Sequence, residues 1–299
     1  TDNTNDLTGQ SSTVNVDVVN DEPTLTVTGD DPTFTEGDGS PAGLFSSASA
    51  STVESGQTIT GFTVTVTNVT DTGNEQLNID GENILLDNGE TGTGTFSYSV
   101  AVAGNTATVT FTSGTASATD FQNLINAASY QNNSDDPTDA NRVIEITQVV
   151  DSGAATDNTN DLTGQSSTVN VDVVNDRPLV SGASGSLGYA AGDGAVAIDS
   201  DLSVSDPDNA LLVSATISIG TGFDNTEDKL SFTPVGAIVG AYNAATGVLT
   251  LTGSDTVANY ELALESVTYE NTDLATPTVG SRDITWSVND GAIDSLGAS

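Results

Sequence analysis

The 299-residue sequence has no histidine, no cysteine and no methionine, one tryptophan, and four basic side chains: Arg142, Arg177, Lys229 and Arg282. Each absence removes a chemistry. Without His or Cys there is no Ser-His-Asp or Cys-His nucleophile, no zinc or haem centre of ordinary type, and no disulfide. Four cations cannot neutralise a phosphate backbone, so nucleic acid is excluded as a partner. No run approaches the roughly 18 consecutive apolar residues of a membrane helix, and no secretory leader is recognisable. With no Met, residue 1 is not a translation start, and an excerpt or a processed chain is expected.

What is present is acid. Forty-two Asp and Glu against the four basic residues set a formal net charge of −38. Acidic chains are often disordered, but the hydrophobic 35% here is arranged with period 2. Phe62/Val64/Val66, Phe96/Tyr98/Val100/Val102, Ala107/Val109/Phe111, Val169/Val171/Val173 and Val213/Ala215/Ile217/Ile219 alternate with Thr and Ser. That is the pattern of a strand with one face in water. Gly104-Asn105 and Thr246-Gly247 are hairpin signals. One short helix is expected in each half, over 120–128 and 257–264, with Thr119 or Asp255 as cap. The fold class expected is all-β: tandem β-sandwich modules of immunoglobulin-like architecture, each with one short helix.

The chain also repeats itself. Residues 1–21 and 156–176 carry the same 21 letters, TDNTNDLTGQSSTVNVDVVND, at an offset of 155. The larger halves are related more distantly. Asp71-x-x-x-Glu75-x-Leu77 parallels Asp224-x-x-x-Asp228-x-Leu230, and Phe34-Thr-Glu-Gly-Asp-Gly39 parallels Tyr189-Ala-Ala-Gly-Asp-Gly194. Ala128-Ser-Tyr-Gln-Asn132 parallels Val267-Thr-Tyr-Glu-Asn271. Module A is read as 22–176 and module B as 177–299. Module A closes with a strand over 167–174, whereas module B reaches Ser299 without one. Residues 1–21 then read as the closing strand of a preceding module, or as a donor strand completing module B of another copy.

The stretch from Gly240 to Leu251, with Tyr260-x-x-Ala-Leu264, Val267-Thr-Tyr-Glu-Asn271 and Val288-Asn-Asp-Gly291, resembles the cadherin-like tandem repeats of giant, type I-secreted (RTX-type) bacterial surface adhesins. The resemblance implies a non-enzymatic, calcium-rigidified extender at the cell surface or in a secreted matrix, serving adhesion, biofilm or a surface fibre. The implied partners are neighbouring modules of the same or an identical chain. It also implies ligands at module junctions: Asn175 and Asp176 before Pro178, with Asp206 and Asp208 about 30 residues on. Glu36 matches the family's early acidic position. Two departures are visible, Val173 at the linker's first acidic position and Thr52-Val-Glu54 in place of an Asp-x-Asp.

Residue chemistry points the same way. Calcium takes six to eight oxygen ligands from loops able to wrap it, and Asp38, Asp199, Asp201, Asp224 and Asp228 complete the loop-borne candidates. The competing reading is a hydrated acidic surface in which Asp and Asn form turns. Two other function classes remain beside the extender. One is a fibre subunit polymerised by inserting residues 13–19 into the open edge of module B, and the other is a carbohydrate-binding adhesin module. A carboxylate-pair glycosidase has no support beyond the abundance of acid.

Overall fold

The computed structural model describes residues 9, 11–15, 19–153, 156–183 and 185–299. They are nearly all β, with two short helices among the described residues. The chain divides into two compact units after Val173, Thr1–Val173 and Val174–Ser299. The sequence reading placed the division three residues later.

In the first unit the strand Ile59–Thr67 lies between Thr106–Thr112 and Arg142–Asp151, antiparallel to both. Ser166–Asp172 adds antiparallel to Arg142–Glu145 and in turn pairs in parallel with Thr33–Thr35. Ser97–Ala103 and Thr91–Thr93 extend the other side. A second sheet orders Ala42–Gly43, Ser129–Asn132, Glu75–Ile79 and Glu82–Leu85. Both sheets contribute to one core, in which Val64, Val66, Ile144 and Ile146 from the first meet Leu77, Ile84 and Tyr130 from the second. That is a β-sandwich. A register shift between Ile146 and Gln148 inserts one residue, so the inward set jumps from Ile146 to Val149.

The first helix, α1 (Ala118–Asn126), carries the chain from one sheet to the other and buries Phe121 and Ile125. Phe121 meets Phe62 edge-on at 5.2 Å, and Phe62 stacks on Phe111 at 4.0 Å with the rings 4° from parallel. The cap is Ser117, whose Oγ accepts from Asp120 N at 3.1 Å, and not the expected Thr119, which lies inside the helix.

The second unit repeats the plan with fewer strands. Leu211–Ile219 lies between Val248–Thr256 and Ile284–Asn289, and Val239–Asn243 joins the outer side of Val248–Thr256. Thr268–Asn271 pairs with Asp228–Ser231 and Val196–Ala197. Helix α2 (Val257–Glu265) buries Tyr260, Ala263 and Leu264. Its cap is Thr256 rather than the expected Asp255. Asp255 instead accepts from Ala237 N, Thr256 N and the Asn259 amide. Those hydrogen bonds hold its carboxyl below the usual range. Trp286 is buried in this core, against a Leu and Ile lining.

Module A's closing strand is observed as Ser166–Asp172. The strand expected within residues 1–21 falls largely on residues 1–8, 10 and 16–18, which lie outside the described residues; residues 11–15 and 19–21 are not in a strand.

Candidate functional site

The loop Asp206-Pro-Asp-Asn209 follows the short strand Ser203–Ser205 of the second unit. Asp206 folds the loop on itself: its Oδ1 accepts from the backbone N–H of Asp208 at 3.0 Å and of Asn209 at 2.8 Å. Its other oxygen, Oδ2, is buried and has no hydrogen-bond partner. The segment leading into the unit is tied to this loop. Asp176 N donates to Asp208 Oδ2, and the Asn209 amide donates to Asn175 Oδ1 at 2.9 Å. The Asn175 amide donates to Asp290 Oδ2 at 2.8 Å. Burial raises the Asp290 carboxyl, but the hydrogen bonds from Asn175 and from the Ile293 and Ala292 N–H groups outweigh it and hold it below the usual range. Arg177 turns away, donating to the carbonyl of Asp294.

So Asn175, Asp176, Asp206 and Asp208, which the family resemblance implied, are linked by hydrogen bonds within one unit, and one oxygen of Asp206 is buried without a donor. An unpaired buried polar atom costs about 1–3 kcal/mol, more when charged. A bound hard cation would remove that cost, and carboxylate, amide and backbone oxygens are the donor set that calcium prefers.

Glu36 and Asp38 follow the strand Thr33–Thr35 of the first unit, where Glu36 N donates to Asp172 O at 3.0 Å and Asp38 is exposed. Asp199 accepts from Asp201 N at 3.0 Å in a local turn.

Asp224 and Asp228 require a correction. Asp228 is buried, and Arg282 Nε donates to its Oδ2 at 2.9 Å while Arg282 Nη2 donates to Glu227 Oε1 at 2.9 Å. Tyr269 OH donates to Asp228 Oδ1 at 2.5 Å, and Thr278 Oγ1 to Asp224 Oδ2 at 3.2 Å. A guanidinium occupies the place given to a metal at Asp228, and the carboxylate of Asp224 is taken up by Thr226 and Thr278.

The same cluster recurs in the first unit. Arg142, wholly buried, donates from Nε to Glu75 Oε2 at 3.0 Å and from Nη2 to Asp71 Oδ2 at 2.9 Å, and Nη1 reaches the carbonyl of Thr138 at 2.8 Å. Tyr130 OH donates to Glu75 Oε2 at 2.8 Å. Burial raises the Tyr130 phenol far above its ordinary value, with the Glu75 charge adding to it. Burial, followed by the Asp228 hydrogen bond, pushes Tyr269 up to about 12. Reading acid as cation-binding missed both arginines. The available signal was Thr138-x-x-x-Arg142 recurring as Thr278-x-x-x-Arg282, beside the recurring acidic pair. These clusters are saturated with partners and hold each unit's two sheets together.

The fold thus defines two all-β sandwich units, the second with a cluster of acidic and amide side chains at its lead-in. No protein-family model matches the chain. Over 108 residues, 34% of its length, the chain is 38% identical to halomucin of Haloquadratum walsbyi, and the match spans 1% of that protein. The C-terminal domain of the Streptococcus pyogenes antigen I/II-family protein AspA aligns over 92% of this chain and 98% of its own at 10% identity. Its TM-score of 0.24 is too low to carry an argument about fold or function.

Proposed function

We propose that this chain is a non-enzymatic structural segment of a long extracellular surface protein of the adhesin kind, with many all-β units strung along one polypeptide. Calcium held by Asn175, Asp176, Asp206 and Asp208 stiffens the lead-in to the second unit. The observation that carries the reading is Asp206 Oδ2, buried without a donor in a loop that already gathers two further carboxylates. Supporting it are the internal duplication and the similarity of about a third of the chain to a very small part of a very long protein.

Calcium there would supply a fixed positive centre that joins the lead-in segment to the Asp206–Asn209 loop. The chain's own residues would do the rest. Asp206 holds one oxygen fixed through its two backbone hydrogen bonds and presents the other. Asn175 is positioned by Asn209 and Asp290. A ligand bound only by the folded state adds stability as RT ln(1 + [L]/Kd), and extracellular modules typically bind calcium at about 0.1–1 mM.

The test is a thermal melt of the whole chain in excess EDTA and across a calcium titration. The reading expects a Tm that rises and saturates near millimolar calcium, with the rise lost in Asp206→Asn and kept in Asp38→Asn. Equal responses to magnesium and sodium, or none to calcium, would sink it.

A further inference from the structure

The larger sheets of the two units differ at one edge. In the first unit Ser97–Ala103 lies on the outer side of Thr106–Thr112 and is itself covered by Thr91–Thr93, which sets Thr91 opposite Ser99 and Thr93 opposite Ser97. In the second unit Val239–Asn243 holds the matching place on the outer side of Val248–Thr256, with Ala241 opposite Thr250. It has no cover. The chain passes from the strand ending at Ser231 through residues 232–238 into Val239 without a strand between. Among the described residues Val239–Asn243 is the edge of its sheet.

An antiparallel edge strand turns the N–H and C=O of every second residue away from its neighbour. Proteins ordinarily blunt such an edge with a charge, a proline or a bulge. Val-Gly-Ala-Tyr-Asn carries no charge and no proline, and it pairs with Val248–Thr252 without a register shift. Residues 230–254 contain no Asp, Glu, Lys or Arg at all. Asp255, next along the chain, is held by Ala237 N, Thr256 N and the Asn259 amide. Val239 is 62% exposed, and Ala241 and Asn243 are exposed on the same face. Tyr242 turns the other way, packing on the core and donating to Asp228 O at 2.8 Å. The exposed face continues through Thr250 and Thr252 to Thr216, so the edge borders an uncharged strip.

We propose that Val239–Asn243 is a self-association edge, which pairs antiparallel with the same strand of a second copy of this chain about a two-fold axis at Ala241. Two four-stranded sheets then become one continuous sheet. Centring on Ala241 gives all five residues a partner: Val239 meets Asn243, Gly240 meets Tyr242, and Ala241 meets itself. Charge selects the occupant. Each copy carries −38, and like charges set face to face are costly, so two copies meet most cheaply where neither presents a carboxylate. The patch is the same on both sides, so the contact closes as a pair and does not propagate. A five-residue strand pair buries less than the roughly 1,000 Å² of a stable complex. It is therefore weak singly and gains by avidity where chains stand side by side; that consequence rests on the surface-protein reading, whereas the pairing does not. Added salt strengthens the contact by screening the remaining repulsion.

The experiment is sedimentation equilibrium of the full chain in EDTA, at low and high salt, up to about 1 mM chain, where even millimolar affinity populates a dimer. With calcium chelated, the result is independent of the calcium reading. The mass is expected to rise from 30.2 kDa towards twice that value and no further, more so in high salt. Ala241→Glu changes an exposed side chain, and its melt followed through Trp286, in the same unit, should match the parent. It sets two carboxylates against each other at the axis and should keep the chain monomeric. Ala241→Lys should do the same, and an equal mixture of the two variants should recover the dimer because Glu then meets Lys. A parent that stays monomeric over the whole range overturns the proposal. So does association that Ala241→Glu leaves unchanged, a mass that climbs past the dimer, or a mixture that fails to recover.

Discussion

Arg142 and Glu75 form an ion pair inside the first sandwich, Nε to Oε2 at 3.0 Å, with side-chain exposures of 0% and 1%. They come from different sheets, 67 residues apart in sequence. The pair locks one sheet to the other, within a polar cluster that includes Asp71, Tyr130 and the carbonyl of Thr138. Breaking a buried pair leaves an uncompensated charge and costs about 3–5 kcal/mol, although the intact pair need not outperform an apolar replacement. Arg142→Ala is therefore expected to lower the unfolding free energy of the first unit by about that amount. Joint replacement Arg142→Met with Glu75→Gln should recover part of the loss. Urea titration of the three chains checks this, and a single mutant that unfolds like the parent would contradict it.

Acid and alkali should each remove defined contributions. Burial raises Asp71, but hydrogen bonds from Thr138 and Asn132 and the Arg142 charge outweigh it, and its folded pKa is below 3.8. Asp224 is lowered chiefly by the Thr226 hydroxyl and N–H, and Asp273 by the N–H groups of Thr276 and Ala275. A lowered carboxyl contributes fully above its unfolded pKa and loses that contribution as pH falls through the folded one. Melting temperature should therefore drop as pH descends through 3.8, less steeply in Asp71→Asn. At the other end, burial pushes Tyr260, like Tyr269, up to about 12. A raised tyrosine favours the fold below 10.0 and ceases to do so as pH climbs through the folded value. Tyrosinate absorbance should rise in two waves, the second coinciding with unfolding.

Phe62 carries the densest aromatic contact of the first core, stacked on Phe111 and edge-on to Phe96 at 5.3 Å and to Phe121. Phe62→Ala is expected to cost about 3–5 kcal/mol, and Phe62→Leu clearly less. Because Phe121 sits on α1, the helix signal in circular dichroism should be lost together with the near-ultraviolet aromatic signal. Loss of one without the other would show that the helix is not held by this stack.

Gly29 lies so close to the closing strand that a Cβ there would come within 2.2 Å of Ser166 O, a backbone atom that cannot swing aside. Gly29→Ala should destabilise the first unit by about 1–3 kcal/mol. Gly43, also in a strand, has open space at that position, so Gly43→Ala is the control and should be near neutral. Thermal melts of the pair decide it.

Much of the fold was legible because β periodicity is local. The runs Phe62/Val64/Val66 and Ala215/Ile217/Ile219 point inward as read, since every second side chain shares a face. Helix positions were close, but the caps were not. Ser117 and Thr256 were overlooked because Thr119 and Asp255 are equally good cap chemistry, and only backbone direction tells them apart. The resemblance to a repeat family nominated Asn175, Asp176, Asp206 and Asp208, and the structure links them by hydrogen bonds within the second unit. The arginine clusters were not legible, because Arg282 reaches Asp228 across 54 residues and two elements.

The twin segments divide the two kinds of information. The sequence by itself determined that residues 12–18 and 167–173 are alternating strand-formers, because that propensity resides in the valines and threonines and is the same in both copies. Only the tertiary structure decided that Val169 is buried while Val14 is 82% exposed. A strand's backbone bonds and its apolar face are satisfied by neighbours rather than by itself. Residues 167–172 have Arg142–Glu145 on one side and Thr33–Thr35 on the other, whereas the described part of 11–15 has neither.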